Sequence, residues 1–302
     1  MSQSATKKMA ISGASGMVGS ALSEEARRQG WGVIPMVRDI NSEGIYWSVE
    51  EEAIDVEALE GLDAVVHLAG KNIAGQRWSD SHKEEIRESR VVGTGLIAEA
   101  LTSVEDGPEA FICASAVGYY GHRGEAWVDE KSEAGEGFLA EVCQAWEGAC
   151  DVARQDDGIR VVNTRFGMIL AEEGGALEKM LTPFKLGIGG RLGDGHQYMS
   201  WVALEDVVRA ILFAIEESME GPVNVTAPNP VTNRVFTQAL GEALSRPTIF
   251  PVPSMALKVA VGSEMAEEML LHGQRVRPAV LEEAGFEFRQ PNLKEALVEL
   301  VG

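Results

Sequence analysis

The sequence predicts an α/β fold in which helices cover both faces of a parallel sheet, and three observations point to it. A glycine-rich turn near the start joins a short apolar run to a helical pattern. Short apolar runs then alternate with helical patterns to about residue 245. With 45% apolar residues among 302, the chain can bury the large core that a doubly wound sheet requires.

The first unit of this pattern is a strand, a glycine turn and a helix. Lys8–Ser12 is short and apolar enough for a buried parallel strand, and residues 17–29 carry apolar residues at helical spacing. Glycine at three positions of the turn lets the chain reverse, lets backbone N–H groups approach a phosphate, and lets the helix pack on the strand. A plain tight turn has a similar sequence, but the strand before it and the helix after it favour a dinucleotide pyrophosphate on the helix N-terminus. The expected contacts are Gly13, Ser15, Gly16, Met17, Val18 and Gly19.

The remaining elements of a Rossmann-type doubly wound parallel sheet follow in order. Strands are predicted at residues 32–37, 64–68, 110–114, 160–164 and 223–225, because these runs are short and mostly apolar. Helices are predicted at residues 79–101, 138–155, 204–216 and 233–244, where apolar residues recur three or four positions apart. Pro35 is unexpected inside an interior strand, since proline donates no hydrogen bond to its neighbour. Ligands of such sheets bind beyond the carboxyl ends of the strands, where Gly13, Arg38, Gly70 and Ser115 fall.

The texture of the sequence changes after residue 166, where glycine-dense stretches begin. We predict a nucleotide-binding domain over residues 1–245, with lid loops at about 172–200. A small, mostly helical C-terminal lobe follows over residues 246–302. That lobe is too short for a core of its own, so we expect it to close over the nucleotide domain as a substrate lobe.

Composition limits the partners and the compartment. A net charge of -21 disfavours nucleic acid and anionic membrane as partners. No apolar run reaches the roughly 18 residues of a membrane span, and the polar start lacks the apolar core of a signal peptide. Three cysteines, Cys113, Cys143 and Cys150, are odd in number and lack metal-ligand spacing. The sequence therefore predicts a cytoplasmic protein without a metal site.

Arg38 ends the second predicted strand, where the adenosine ribose of a dinucleotide is recognised. A carboxylate at this position favours the 2′-hydroxyl of NAD, whereas an arginine accommodates the 2′-phosphate of NADP. Arg38 therefore predicts NADP(H), while the adjacent Asp39 leaves NAD(H) as an alternative.

Several motifs together identify the family that the chain resembles. They are Gly13-x-x-Gly16-x-x-Gly19, residues 67–74, Arg90-x-x-Gly93-Thr94, residues 114–121, Gly193-x-Gly195-x-Gln197-x-x-Ser200-Trp201, residues 221–228 and Leu271-x-Gly273-Gln274-Arg275-Val276. The chain resembles the extended short-chain dehydrogenases/reductases. More narrowly, it is similar to an atypical, epimerase-like subgroup, related to nucleoside-diphosphate-sugar epimerases, that carries a C-terminal domain of unknown function. The resemblance implies cofactor contacts at Leu68, Ala69, Gly70, Glu85, Arg90 and Ile169, and a homodimer.

The usual catalytic pair of that superfamily is absent. Its members place Tyr-x-x-x-Lys on the helix after the serine strand, and the lysine lowers the pKa of the tyrosine. Here the matching positions are Phe138 with Val142, or Leu139 with Cys143. The acid/base candidates that remain near the strand end are Ser115, Tyr119 and Tyr120.

Three further residues have a simpler explanation than catalysis. Cys143 is expected to be a buried small residue, although a thiol in the lysine position is a candidate for acid/base work. His67 ends a strand and is expected to be packed and hydrogen-bonded. His196 lies in a glycine loop, where it either reaches a substrate or is simply solvated.

Two functions remain open on the sequence. One is an NADP(H)-dependent oxidoreductase acting on an unknown small molecule, which the glycine-rich lid and Trp201 favour. The other is a non-catalytic NADP(H)-binding sensor or regulatory protein, which the missing Tyr/Lys pair favours.

Overall fold

The computed structural model describes residues 6–302, and an eight-stranded sheet runs through its centre. The strands of the chain are β1 Lys8–Ser12, β2 Gly32–Val37, β3 Ile45–Ser48, β4 Ala53–Ile54, β5 Ala64–His67, β6 Ala110–Ala116, β7 Trp127–Val128, β8 Arg160–Phe166, β9 Met168–Leu170, β10 Tyr198–Met199, β11 Trp201–Ala203, β12 Gly221–Val225, β13 Val231–Thr232 and β14 Arg275–Val276. The helices are α1 Met17–Arg28, α2 Asp80–Leu101, α3 Phe138–Gly148, α4 Asp151–Arg154, α5 Gly175–Lys185, α6 Leu204–Glu216, α7 Asn233–Ala243, α8 Ser254–Val261, α9 Ser263–Ala266, α10 Ala279–Glu283 and α11 Leu293–Val301.

The large sheet has the strand order β12-β8-β6-β5-β1-β2-β3-β4. Neighbouring strands are parallel except for β3 and β4, which are antiparallel. The order reverses between β1 and β5, so a crevice opens beyond the carboxyl ends of these two strands. The predicted doubly wound, Rossmann-type sheet is confirmed.

The edge of the sheet beyond β2 explains Pro35. This residue lies opposite Ile11 of β1, and a Cβ added to Gly44 would come within 2.3 Å of the Pro35 carbonyl oxygen. The nitrogen and carbonyl oxygen of one strand residue point to the same side, so the missing N–H also faces Gly44. The proline therefore interrupts no bond to β1, and none to β3 either, because pairing of β2 with β3 starts only at Met36. β3 and β4 themselves extend the sheet beyond the strands predicted from the sequence.

Helices cover both faces of the sheet. On one face, Leu22 of α1 and Ile211 of α6 belong to a core built on β1, β5 and β12. On the other face, Ile97 of α2 and Trp146 of α3 belong to a second core. A parallel sheet needs this double cover because its strands are apolar on both sides.

The C-terminal segment shares its cores with the rest of the chain. Leu297 of α11 belongs to a third core together with Trp201 and residues of α5 and α7. Leu281 of α10 joins the core of the first sheet face. β14 pairs with β7 in a separate two-stranded sheet. Residues 246–302 therefore dock on several parts of residues 6–245.

Two helical segments differ from the prediction. Residues 175–185, inside the segment predicted as lid loops, form α5, while Gly174 and Gly187 at its ends have φ of +83° and +73°. The helix predicted over residues 138–155 is interrupted between α3 and α4 by a short turn after Gly148. Within residues 6–302, no helix combines the length and the apolar character needed to cross a bilayer.

Candidate functional site

The glycine turn lies at the switch point of the sheet, between β1 and β5. Gly13 has a φ of +69°, and its carbonyl oxygen accepts the N–H of Gly16 at 2.9 Å. A Cβ on Gly19 would come within 2.1 Å of that oxygen, and a Cβ on Gly13 within 3.0 Å of the Ala69 nitrogen. Gly16 is exposed at the start of α1. The turn thus exposes backbone without side chains at a helix N-terminus. This glycine cradle fits a pyrophosphate.

A buried polar pair, Ser12 and His67, fixes the segment after β5 that lies beside the glycine turn. The hydroxyl of Ser12 accepts the N–H groups of Leu68 and Ala69 at 3.1 and 3.2 Å. It lies 2.6 Å from Nδ1 of His67, and because its oxygen already accepts two N–H groups we assign its own hydrogen to Nδ1. Burial, reinforced by the charge of Arg90, lowers the pKa of His67 to about 3. The ring is therefore neutral and serves to orient the Ser12 hydroxyl.

The other predicted contacts around the turn are spread over two environments. Ser15 is exposed beside the turn, whereas Val18 and Ile169 pack against the core of the first sheet face. Met17 faces the start of the lid, because a Cβ on Gly174 would come within 3.3 Å of its sulfur. The segment predicted as lid loops thus lies next to the glycine turn at Met17.

The end of β2 carries Arg38 and Asp39, the residues predicted to distinguish the two nicotinamide nucleotides. Arg38 is exposed there. A carboxylate oxygen of Asp39 accepts the backbone N–H and the side-chain amide of Asn41, both at 3.0 Å. These bonds lower the pKa of Asp39 and turn its carboxylate toward its own loop. Within the described part of the chain, Arg38 therefore has its charge free at this strand end, while the Asp39 carboxylate is engaged by Asn41.

Arg90 and Glu85 of α2 both contact Lys71, in the segment after β5, but through different atoms. Arg90 donates from Nη1 to the carbonyl oxygens of Lys71 and Ile86 at 3.0 and 3.1 Å. Its guanidinium lies 4.9 Å from the ring centre of Trp146. Glu85 pairs with the Lys71 ammonium at 3.0 Å, and this bond lowers the Glu85 pKa. A Cβ on Gly70 would come within 3.2 Å of the Arg90 guanidinium, so both predicted residues lie beside this strand end.

Ser115 and Tyr120 belong to a buried hydrogen-bond network at the carboxyl ends of β6 and β8. The Ser115 hydroxyl donates to Glu147 at 2.6 Å, and Arg165 pairs with both oxygens of the same carboxylate at 2.8 Å. Arg165 also donates to the Tyr120 hydroxyl at 2.9 Å, which donates to Asn224 at 2.7 Å. Burial raises the pKa of Tyr120 to about 12. Burial lowers the pKa of Arg165, but the bonds to Glu147 outweigh it and the net shift is upward.

Tyr119 packs on the same network. The Arg165 guanidinium lies 3.5 Å from the centre of its ring, and the two tyrosine rings meet edge to face at 5.4 Å. The structure thus brings Ser115, Tyr119 and Tyr120 together around Arg165. None of the three lines the large cavity described next.

A cavity of about 880 Å³ begins at the ends of β6 and β8. Its walls come from these strand ends, from α3 and α5, and from the C-terminal segment. Arg90 and Cys143 line it, and burial raises the pKa of the Cys143 thiol to about 12, so the thiol stays protonated. A cavity of this size suits a small-molecule ligand.

The C-terminal segment contributes polar groups that the sequence interpretation did not identify. The rings of His122 and His272 stack at 4.5 Å, both line the cavity, and burial lowers the pKa of His272. Glu268 accepts the first N–H groups of α3, from Phe138 at 2.9 Å and Leu139 at 2.8 Å. The motif Leu271-x-Gly273 was the available signal, since it contains His272 and begins three residues after Glu268. His196, by contrast, is exposed beside Arg234 at 3.1 Å.

Comparisons with known proteins agree over nearly the whole chain. A model of the NAD dependent epimerase/dehydratase family matches residues 9–226, and one of a domain of unknown function matches residues 252–300. An epimerase family protein of Mycobacterium leprae is 47% identical over 98% of this chain and 97% of its own. The crystal structure of the human epimerase family protein SDR39U1 with NADPH matches with a TM-score of 0.91 and 33% identity over 97% of this chain and 99% of that one. A nucleoside-diphosphate sugar epimerase of Corynebacterium glutamicum gives a TM-score of 0.81 and 36% identity over 99% of this chain and 59% of that one.

Proposed function

Because this chain belongs to the NAD-dependent epimerase/dehydratase family, as its sequence motifs predict, we propose that it is an NADP(H)-dependent oxidoreductase acting on a small molecule. The observation that carries the proposal is the cavity of about 880 Å³, which starts at the strand ends next to the glycine cradle. In a doubly wound sheet this is where the reacting half of a dinucleotide meets its substrate.

The residues of the cradle fit the nucleotide. The first backbone N–H groups of α1 would hold the pyrophosphate, and Arg38 the 2′-phosphate. The relative SDR39U1, solved with NADPH, supports this choice of nucleotide. A bound nicotinamide supplies hydride transfer.

Acid/base work would fall to groups that face the cavity. We assign Ser115 and Tyr120 a structural role, because their hydroxyls already bond to Glu147 and Asn224. Arg90 contacts carbonyl oxygens and a ring, so its positive charge is available to stabilise negative charge developing on a substrate oxygen. Cys143, protonated at neutral pH, is a second donor in the cavity.

A crystal structure with NADPH would test the proposal. We expect C4 of the nicotinamide to face the closed end of the cavity, near Arg90 and Cys143. A nicotinamide face open to solvent would contradict turnover and support the sensor function. That alternative is favoured by the engagement of Ser115 and Tyr120 in the buried network.

Arg38→Ala should remove most of the preference for NADPH over NADH. The guanidinium pairs with the 2′-phosphate, and a charged hydrogen bond contributes about 1.5–3 kcal/mol. Titration of tryptophan fluorescence with each nucleotide measures the preference. Arg27→Ala, an exposed arginine on α1, makes the same change in net charge and should leave the preference intact. Equal titration curves for the two nucleotides with the unmutated chain would contradict the assignment of Arg38.

Turnover on ordinary carbonyl compounds or sugar nucleotides should be slow, because no Tyr/Lys pair is present and a positioned acid/base contributes roughly 10²–10⁴-fold. NADPH oxidation against a panel of such compounds measures it, with Tyr119→Phe and Tyr120→Phe alongside. Tyr119→Phe should leave the rate unchanged. Tyr120→Phe should instead lower stability by about 1–3 kcal/mol, since Arg165 and Asn224 lose a buried partner. Fast turnover that Tyr119→Phe abolishes would show that its phenol acts without a lysine.

A further inference from the structure

We propose that the substrate of this cavity is a neutral, largely apolar carbonyl compound or alcohol, and not a sugar nucleotide. This inference rests on the proposed oxidoreductase function and names the class of molecule on which it acts. It is carried by the chemistry of the cavity wall, by the charges along it, and by the surface at its mouth.

Most side chains that the C-terminal half of the chain contributes to the wall are apolar, and among the polar ones Gln197, Ser200 and Asn233 already bond within the chain. Helices α3, α5, α7 and α8 and the turn before β14 each contribute apolar side chains to it. Examples are Leu139, Met180, Phe184, Phe236, Leu257 and Leu270. A polar sugar placed against such a wall would lose its bonds to water without replacing them, and each unpaired hydroxyl costs about 1–3 kcal/mol. A carbon skeleton placed there would instead be stabilised by leaving water.

The charges along the cavity do not suit a diphosphate. Among the described residues, the charged side chains that line it are Arg90, Glu136, Glu178, Lys179 and Glu268. Carboxylates thus outnumber the two cations. Lys179 is exposed and donates to the Ala74 carbonyl oxygen at 3.2 Å, and Arg90 lies at the strand ends. The part of the cavity under the C-terminal segment holds Glu268 and two histidines but no lysine or arginine, so phosphates there would meet a carboxylate.

The mouth of the cavity continues into an exposed apolar rim. Six large apolar residues of this region are 62–75% exposed, namely Leu186, Ile188, Ile249, Phe250, Met255 and Val259. Ile188 belongs to both the rim and the cavity wall. The two segments of the rim are joined, because the N–H of Val252 donates to the Arg191 carbonyl oxygen at 2.8 Å.

Large exposed apolar residues grouped beside a cavity mark a binding region. Here the rim, which shares Ile188 with the wall, suits the entry of an apolar molecule from solvent. It also suits a substrate whose carbon chain is too long for the cavity alone.

Competition binding to the full chain saturated with NADPH tests the inference. Nile red, a neutral apolar dye, should bind saturably and gain fluorescence. Decanal should displace it, whereas millimolar UDP-glucose should not. Leu257→Asp and Ile188→Asp, one in the wall and one at the rim, should each weaken dye binding about tenfold or more, since a carboxylate replaces an apolar contact. Val298→Asp provides the matched control, because Val298 is 59% exposed on α11 and does not line the cavity.

The outcomes separate this inference from the function on which it rests. Displacement of the dye by UDP-glucose, or dye binding that is unchanged in both cavity variants, would overturn the apolar substrate class. NADPH affinity is measured on the same samples by tryptophan fluorescence. A chain that fails to bind NADPH would instead contradict the proposed function, whatever the dye does.

Discussion

Glu147→Ala should lower the free energy of unfolding by about 3–5 kcal/mol, because it leaves a buried charge without its partner. The side chains of Arg165 and Glu147 are 4% and 12% exposed, and they share two bonds of 2.8 Å. Removal of the carboxylate also leaves the Ser115 hydroxyl without its acceptor. In the folded protein, the bonds between the two side chains offset the cost of burying both charges.

Urea unfolding followed by circular dichroism measures this loss. Glu141→Ala is the matched control, because Glu141 is an exposed carboxylate on the same helix and should change stability by less than about 1 kcal/mol. Replacement of both Glu147 and Arg165 by methionine should recover part of the stability, since neither charge is then buried. A single-variant loss as small as that of the control would show that the network does not stabilise the fold.

The same network shows why the catalytic candidates could not be settled from the sequence. Ser115 and Tyr120 follow a strand of the expected type, so their position alone favoured catalysis. Their partners Glu147 and Arg165 are distant in the chain and meet them only because α3 and β8 pack beside β6. Glu147 lies four residues after Cys143, hence on the same face of α3. The helix face that carries a lysine in ordinary members of the superfamily thus carries a thiol and a paired carboxylate here.

The fold was more predictable than the cavity, for a physical reason. Buried parallel strands are apolar on both faces and leave a local signal, so six of the eight strands could be predicted from the sequence, whereas β3 and β4 at one edge could not. α5 left such a signal as well, because Leu177, Leu181 and Phe184 recur at helical spacing, but the glycine-dense flanks favoured a loop. The cavity has no local signal, since its walls come from segments more than 100 residues apart, such as Leu139 and Leu270. Only their packing creates the space.

Gly16→Val should weaken NADPH binding by more than about 100-fold, which corresponds to roughly 2.7 kcal/mol, while the fold stays intact. Gly16 has φ −78° and ψ 170°, a conformation that valine readily adopts. Its Cβ would meet only the Gly13 carbonyl oxygen, at 3.3 Å. The rest of the new side chain would occupy the exposed space over the helix N-terminus, where the pyrophosphate must approach the backbone N–H groups.

Two further glycine variants make this result specific to the phosphate site. Gly19→Val should lose both nucleotide binding and stability, because its Cβ would come within 2.1 Å of the Gly13 carbonyl oxygen. Gly95→Val on α2 should retain binding, since no atom lies within 4 Å of the added Cβ. Nucleotide titration and thermal unfolding are measured for all three. Undiminished NADPH affinity in Gly16→Val, with a cooperative transition, would mean that the phosphates bind elsewhere. The valine side chain would then cover the backbone of the turn without weakening NADPH binding.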